Sequence, residues 1–416
     1  MKKDTLVIGG GIVGLCTAYY LARNGCAVTI IDDSDSNSSA SFVNAGYITP
    51  SHIIPLAAPG MPSKALKWML RSDSPFYMRP RWDTDFFRWA WAFYKSCTPA
   101  NVQAAIPVIK NINLLSKDLW EEMKISGELG DFQWEKNGLL MLFTTEKSGD
   151  SEYKVAAKAL EIGLETEILS WEQLHKIEPQ VSDKVLGAVH YKCDAHTTPN
   201  EFMKNMVTCL ENKGVVFKKN EQVNDIFIRQ KKVKEIQTNK GAYKADEVVL
   251  AAGSWTARLA RKLNMNLLLQ PGKGYSVNTN TSANIRYPAV LMESKVAVTP
   301  MRGFTRFAGT MEFSGYNHFI RKERVLAIAK AAGNYYKDLT IPVSDIENAK
   351  CGLRPVTPDG LPYIGKTKIA DNLTIAAGHA MMGWSLGPAT GKLVSEIVFN
   401  RKTSMDIAAF NPMRRF

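Results

Sequence analysis

Thr5-Leu6-Val7-Ile8-Gly9-Gly10-Gly11-Ile12-Val13-Gly14 opens the chain, and the reading of this stretch decides the fold. Four strand formers run straight into a G-x-G-x-x-G pattern. A helical stretch follows, with Ala18 and Leu21 one turn apart and Gly25 where a helix stop belongs. Ala27-Val28-Thr29-Ile30-Ile31 then reads as a second strand, ending in Asp32 and Asp33. The glycines alone are weak evidence, but strand, tight turn, helix, strand and acid in this order make them specific. Gly9 permits the sharp turn, Gly11 lets the backbone approach a pyrophosphate, and Gly14 lets the helix lie on the sheet. The free N–H groups of the helix N-terminus, around Ile12 and Val13, stabilise phosphate charge. Asp32 is placed to accept hydrogen bonds from a ribose diol, and an acid there disfavours the 2′-phosphate of NADP. A dinucleotide is expected here.

Beyond this unit the strand–helix alternation stops. Ser34-Asp35-Ser36-Asn37-Ser38-Ser39-Ala40-Ser41 and Asn44-Ala45-Gly46-Tyr47 are small, polar and turn-rich, suited to wrapping a cofactor. Prolines, aromatics and methionines crowd the stretch from Ile53 to Cys97. Sheet-like segments return at Glu247-Val248-Val249-Leu250-Ala251 and at Leu373-Thr374-Ile375-Ala376-Ala377, the latter followed by a helix over Gly391–Phe399. A nucleotide domain assembled from the start, middle and end of the chain is expected.

The 416 residues exceed what a single hydrophobic core serves, so two interlocked domains are the natural arrangement. Hydrophobic residues at 45% and charged residues at 22% argue against long disorder. The formal charge of +12 favours anionic partners. Its lysines and arginines are scattered, and no recognition helix or zinc-finger spacing accompanies them, so no nucleic-acid partner is expected. Six cysteines without a CxxC pair fit a reducing compartment. The first strand is read as starting after Met1, Lys2, Lys3 and Asp4, so no signal peptide is expected. Apolar runs such as Leu139 to Phe143 are far below the roughly 18 residues that cross a bilayer. The expected location is cytoplasmic, with attachment to the inner face of a membrane left open.

The whole chain resembles the D-amino-acid oxidase-like FAD oxidoreductases. The resemblance rests on Gly9 to Gly14 with Asp32, on Leu250-Ala251-Ala252-Gly253-Ser254-Trp255, on Gly352-Leu353-Arg354-Pro355-Val356-Thr357-Pro358-Asp359-Gly360, and on Gly378-His379-Ala380-Met381-Met382-Gly383-Trp384. Within the family, Pro50-Ser51-His52, Ala57-Ala58-Pro59-Gly60, Pro271-Gly272-Lys273-Gly274-Tyr275-Ser276 and Ala308-Gly309-Thr310-Met311-Glu312-Phe313 look most like bacterial D-amino-acid dehydrogenases. The resemblance implies an α/β fold, α+β in its second part. An FAD-binding Rossmann-like domain would span 1–55, 190–265 and 350–416. A substrate domain with a mixed or antiparallel sheet would span 56–189 and 266–349.

It also implies oxidation of a small D-amino acid, D-proline or a hydroxyproline being the suggested substrate. Electrons would pass to quinone or another acceptor. A glycine or sarcosine oxidase using oxygen, an FAD-dependent 2-hydroxyacid dehydrogenase and a non-catalytic flavoprotein subunit are the competing readings.

Hydride transfer from an amine to a flavin asks the protein chiefly for geometry, and for a cation to hold the substrate carboxylate. Arg354 is the candidate: its planar fork matches a carboxylate bidentately, and relatives use the arginine of this Leu-Arg-Pro segment in that way. Tyr275, after what reads as a glycine-rich turn, is a candidate hydroxyl donor to the substrate. His52 and His379 fall in segments that the family places near the flavin ring. Gly378, Gly383, Trp384, Ser385 and Leu386 are expected to approach the flavin through their backbone. Ser38, Ser39, Ala45, Gly46 and Gly253 are further cofactor candidates, and Val223 is expected beside the adenine.

His190, Cys193 and His196, with Asp194 between, have a spacing that suggests a metal, but no fourth ligand is evident and none is expected. Cys351 lies near the position where some sarcosine oxidases tether FAD covalently, displaced by one residue; non-covalent FAD is expected. Lys64 to Arg71 and the aromatics Phe86, Phe87, Trp89, Trp91, Phe93 and Tyr94, set among Arg79, Arg81, Arg88 and Lys95, suit either a lipid–water interface or a packed core.

Overall fold

The computed structural model describes residues 3–34, 39–69, 74–280 and 284–416. Its opening unit is strand Asp4–Ile8, helix Ile12–Arg23 and strand Ala27–Ile31. Gly9 turns the chain at φ +114°, a conformation strained for any residue with a β-carbon. At Gly14 a β-carbon would stand 1.9 Å from the Gly9 carbonyl oxygen, so only glycine lets helix and strand lie this close.

These two strands pair in parallel at the centre of a six-stranded sheet. Its order is Tyr363–Lys366, Leu373–Ala377, Glu247–Leu250, Asp4–Ile8, Ala27–Ile31, Val216–Lys218, and only the first pairing is antiparallel. Start, middle and end of the chain therefore build one sheet. Side-chain alternation divides its faces. Val7, Val249 and Ala376 pack beneath helices Ile12–Arg23, Pro99–Ser126 and Gly387–Val398, whereas Leu6, Ile8, Val248 and Leu250 pack against the small sheet of residues 223–243 and helix Thr256–Lys262. The last helix begins at Gly387, earlier than the expected Gly391. At Gly391 a β-carbon would stand 2.4 Å from the Cys16 carbonyl carbon, so this helix and Ile12–Arg23 touch backbone to backbone.

The second sheet has nine strands and is mainly antiparallel. Its order is Lys350–Val356, Gln270–Thr279, Phe304–Phe313, Val296–Met301, Ala289–Leu291, Leu139–Phe143, Gly187–Tyr191, Thr166–Leu169, with Phe76–Met78 paired alongside Phe304–Phe313. Two strands cross the boundaries expected from sequence. Lys350–Val356 lies wholly in this sheet rather than with the nucleotide-binding strands, and Gly187–Tyr191 continues past residue 190.

The Pro271 to Ser276 segment is mid-strand, not a turn. Lys273 faces Glu312 and Tyr275 faces Gly309, so Thr310 and Met311 together oppose Gly274 in a β-bulge. Thr310 sits there at φ +69°, a costly conformation for a β-branched residue.

The 39–52 loop ties the two sheets together. Arg306 of the second sheet donates to the carbonyls of Phe42 (2.9 Å) and Asn44 (2.6 Å), and the Tyr47 hydroxyl shares its one proton between those of Ala289 (2.7 Å) and Val298 (2.8 Å).

Candidate active site

A cavity of about 1460 Å³ runs from the opening strand–helix turn to the bulge in the second sheet. It exceeds the roughly 300–1,000 Å³ of sites for drug-sized ligands. At its first end Gly9, Gly11, Ile12, Val13, Asp32 and Asp33 line the wall. The N–H groups of Gly11 and Val13 have no acceptor among the described residues, and the first turn of the helix carries no acid. Such an end favours an anion. Asp32 is oriented by the Gly10 N–H and by the N–H (2.9 Å) and hydroxyl of Ser34. Val223 and Gly253 line the same end.

Ser39 and Ala45 line the middle, and the buried Ser39 hydroxyl has no partner among the described residues. Ser41 was not singled out by sequence, yet its Oγ accepts the Ile12 N–H at 3.0 Å at the mouth of the helix. No motif announces that bond, because it joins residues that are neighbours only after folding. Ser38 lies outside the described residues.

His379, Gly383, Trp384 and Ser385 line the next stretch. Their loop is held from behind by the long helix: the Ser385 carbonyl accepts from Ser116 Oγ (2.6 Å) and Trp120 Nε1 (3.1 Å), and its hydroxyl donates to Asn113 Oδ1 (3.2 Å). These bonds account for two polar residues, Asn113 and Ser116, buried in a helix core. His379 Nε2 is engaged by the Thr390 hydroxyl at 2.9 Å, and burial pushes its pKa down to about 3, so the ring is a neutral anchor for the last helix.

Four expected cofactor residues stand behind the wall rather than in it: Gly14, Gly46, Gly378 and Leu386. Each of the three glycines makes room for neighbouring protein. A β-carbon would meet the Thr197 carbonyl oxygen at 2.2 Å from Gly46 and Thr357 Cγ2 at 2.5 Å from Gly378, and Gly14 is confined as described above.

Arg354 forms the far end. Its Nη1 donates to the Thr310 carbonyl at 2.7 Å, the group that the bulge turns toward it. No carboxylate of the described residues pairs with it, and burial lowers its pKa to about 10, which leaves it charged at neutral pH. A β-carbon on Gly274 would fall 2.2 Å from both terminal nitrogens, so that glycine, quoted in the sequence but given no role, makes the space for the guanidinium. A half-buried cation without a carboxylate partner among the described residues, open to a cavity, is a site for an anionic ligand group.

Tyr275 lines the cavity, but its hydroxyl is committed elsewhere than expected. It donates to Glu312 Oε2 at 2.6 Å, within a buried cluster where Lys273 Nζ lies 3.0 Å from Glu312 Oε1. The carboxylate outcompetes a ligand for that proton, so Tyr275 serves as a wall. His52 lines the cavity, with its Nδ1 3.2 Å from Ser51 Oγ.

Cys351 does not line the cavity; its side chain is buried in the apolar cluster of the second sheet that holds Tyr275, Val277 and Phe307. His190 and His196 each hold a backbone carbonyl, of Asn137 (2.8 Å) and Pro300 (3.1 Å), and among the described residues no group of three or more His, Cys, Asp or Glu side chains could hold a metal.

A family model described as FAD dependent oxidoreductase (DAO) matches residues 4–397. The chain belongs to that family. It is 31% identical over 409 residues to a D-amino acid dehydrogenase of Neisseria meningitidis serogroup C, covering 96% of each chain, and 31% identical over 407 residues to that of Vibrio atlanticus, covering 95% of each. Among solved structures, glycine oxidase from Geobacillus kaustophilus superposes with a TM-score of 0.79 at 22% identity, over 100% of this chain and 99% of that one. That likeness establishes the shared fold. FAD is therefore the cofactor of this oxidoreductase family member, and the free N–H groups, the orphaned Ser39 hydroxyl and the length of the cavity fit it.

Proposed function

We propose that the chain is an FAD-dependent dehydrogenase of a small D-amino acid, D-proline or a hydroxy-D-proline being the first to test. The observation that carries the reading is Arg354, an unpaired guanidinium in the cavity that the cofactor residues also line. It would hold the substrate carboxylate through two parallel hydrogen bonds and set the Cα–H toward the middle of the cavity. FAD, when bound, accepts the hydride from that carbon. The wall beside Arg354 is apolar, with Met311, Phe313 and Pro355, which suits a compact aliphatic side chain or ring and excludes water from the charge pair.

The proposed electron acceptor is quinone at a membrane surface. Helix Thr84–Ser96 supports it, because its two faces differ. Phe86 and Trp89 are buried, while Phe87, Trp91 (63% exposed) and Tyr94 (60% exposed) form one outward row beside exposed Arg88, with Trp82 98% exposed at the helix entry. Aromatic rings with flanking cations suit a lipid–water interface. Trp89, Phe93 and Tyr94 of the same helix line the cavity, so a lipid-side acceptor would arrive at its wall. No helix among the described residues is long and apolar enough to cross a membrane. Anaerobic bleaching of the flavin band by D-amino acids, with quinone reoxidation, tests both halves of the proposal.

A further inference from the structure

Asp194 is a carboxylate with 0% exposure and no ion pair among the described residues, a costly arrangement unless the group is used or well bonded. Ser51 supplies the principal donors, its N–H at 3.0 Å to Oδ1 and its hydroxyl at 2.5 Å to Oδ2, and the Cys193 thiol lies 3.5 Å from Oδ1. Ser51 Oγ also lies 3.2 Å from His52 Nδ1. Because the hydroxyl proton points to Asp194, the oxygen offers its lone pair to the imidazole, which fixes the Nδ1–H tautomer. His52 Nε2 is then a bare lone pair. It has no partner among the described residues, and the ring lines the cavity.

The segment stands at the junction of the two sheets. The Thr49 N–H donates to Ser385 Oγ at 3.2 Å on the cofactor side, and the Tyr47 hydroxyl is held by Ala289 and Val298 on the side of the second sheet. Lys295, on the hairpin that follows Ala289–Leu291, also lines the cavity and acts electrostatically on His52.

We propose that His52, Ser51 and Asp194 form a proton relay in which His52 Nε2 takes a proton from the substrate ammonium and Asp194 is its final acceptor. The inference rests on the amino-acid dehydrogenase reading above. An ammonium nitrogen has no lone pair to drive hydride off Cα, so a proton must leave first. The N–H bond breaks and its electron pair stays on nitrogen. The proton joins His52 Nε2, the Nδ1 proton passes to Ser51 Oγ, and the Ser51 hydroxyl proton passes to Asp194 Oδ2. The products are a neutral amine and a neutral carboxylic acid, with no electrons exchanged. With the nitrogen lone pair restored, the substrate is the form from which FAD, when bound, would take the hydride and its two electrons.

The neighbouring charges suit this direction. Burial pushes Asp194 up to about 7 against the pull of its Ser51 bonds, of Cys193 and of Lys117 on the long helix. Burial, and then Lys295, holds His52 down at about 4, so the ring passes the proton on rather than storing it. Tyr47, which feels the Asp194 charge, stays protonated because burial raises it.

The test is stopped-flow reduction of the FAD-loaded enzyme by a D-amino acid across pH, in wild type, Ser51→Ala and the isosteric Asp194→Asn. At neutral pH both variants should reduce about 100-fold more slowly, in the range of general-base catalysis. The deficit should vanish at a pH where the free substrate is already a neutral amine. Difference infrared spectroscopy with an α-methylated amino acid, which binds but has no hydride to give, should show a protonated-carboxyl band in wild type and none in Asp194→Asn. FAD content, read from the absorbance ratio, checks that the variants are folded. Parallel pH profiles in wild type and Ser51→Ala, or no infrared band in wild type, would overturn the relay while leaving the dehydrogenase reading standing. A wild-type flavin that no D-amino acid reduces would remove both.

Discussion

The guanidinium of Arg354 lies directly against the backbone of Gly274, in the space where any other residue would carry its β-carbon. The two strands are paired, with Arg354 opposite Gly272 and Gly352 opposite Gly274, so the arginine folds across its own ladder to reach the bulge at Thr310. The candidate anion site is thus a property of two strands and one missing side chain. Gly274→Ala should displace the guanidinium and raise KM for the amino acid, with the FAD content unchanged. Steady-state kinetics and the flavin spectrum of one preparation check both.

Arg354→Lys should also keep FAD. A lysine ammonium retains the charge but loses the planar fork, and charge-assisted hydrogen bonds contribute about 1.5–3 kcal/mol each. The loss in kcat/KM should be roughly 10- to 100-fold for Lys and larger for Ala. Turnover by both variants at the wild-type rate would take Arg354 out of the carboxylate role.

At the other end of the cavity, Gly14→Ala acts on the cofactor. Its β-carbon at 1.9 Å from the Gly9 oxygen must push the helix off the strand. Overpacking of this kind costs about 1–3 kcal/mol. The variant should unfold at lower temperature and purify with less FAD, whereas Arg354→Lys should do neither.

Buried titrating groups give the stability a defined pH dependence. His52 and His196 are held at about 4 and His379 at about 3 by burial, below the ordinary value of about 6.5. The unfolded chain therefore binds more protons, and stability falls as pH drops from 6.5 through 4. Asp194 acts in the opposite sense. Its pKa is raised to about 7 in the folded chain, so its contribution is lost as pH rises from about 4 through 7. Thermal unfolding of Asp194→Asn minus wild type isolates that group: the variant should gain on wild type across this window and level off above it.

The exposed row on helix Thr84–Ser96 predicts vesicle binding. A large apolar side chain contributes roughly 1.5–3 kcal/mol on leaving water. Phe87→Ser should lower partitioning onto anionic vesicles by about tenfold or more in a sedimentation assay, with D-amino-acid reduction of the flavin unchanged. Equal partitioning of wild type and variant would remove this face as the membrane contact.

Much of the cofactor end was legible because it is local. Residues 4 to 33 carry strand, turn, helix and strand within one short stretch, and the apolar runs at Glu247–Leu250 and Leu373–Ala377 announce strands buried on both faces. The second sheet was not legible in the same way. Its registers join residues far apart in the chain, such as Leu140 with Ala289 and Tyr275 with Cys351, and nothing in either segment names its partner. Gly272 and Gly274 read as a turn because glycine usually marks one, whereas here they relieve crowding by Met311 and Arg354. In sequence Tyr275 is only a candidate donor to the substrate, because Glu312, its actual partner, comes close only through that same sheet. Asp194 has no signature of its own beside the histidine–cysteine spacing, since its bond to Ser51 spans 143 positions.

Anaerobic titration of the FAD-loaded protein with paired D- and L-amino acids, alongside Arg354→Lys, tests the central claim most directly. The account predicts that D-proline or another small D-amino acid bleaches the flavin band, that its L-enantiomer does not, and that the arginine variant bleaches far more slowly with its FAD retained. Reduction by a 2-hydroxyacid with no response to any amine, or equal rates in wild type and Arg354→Lys, would contradict it.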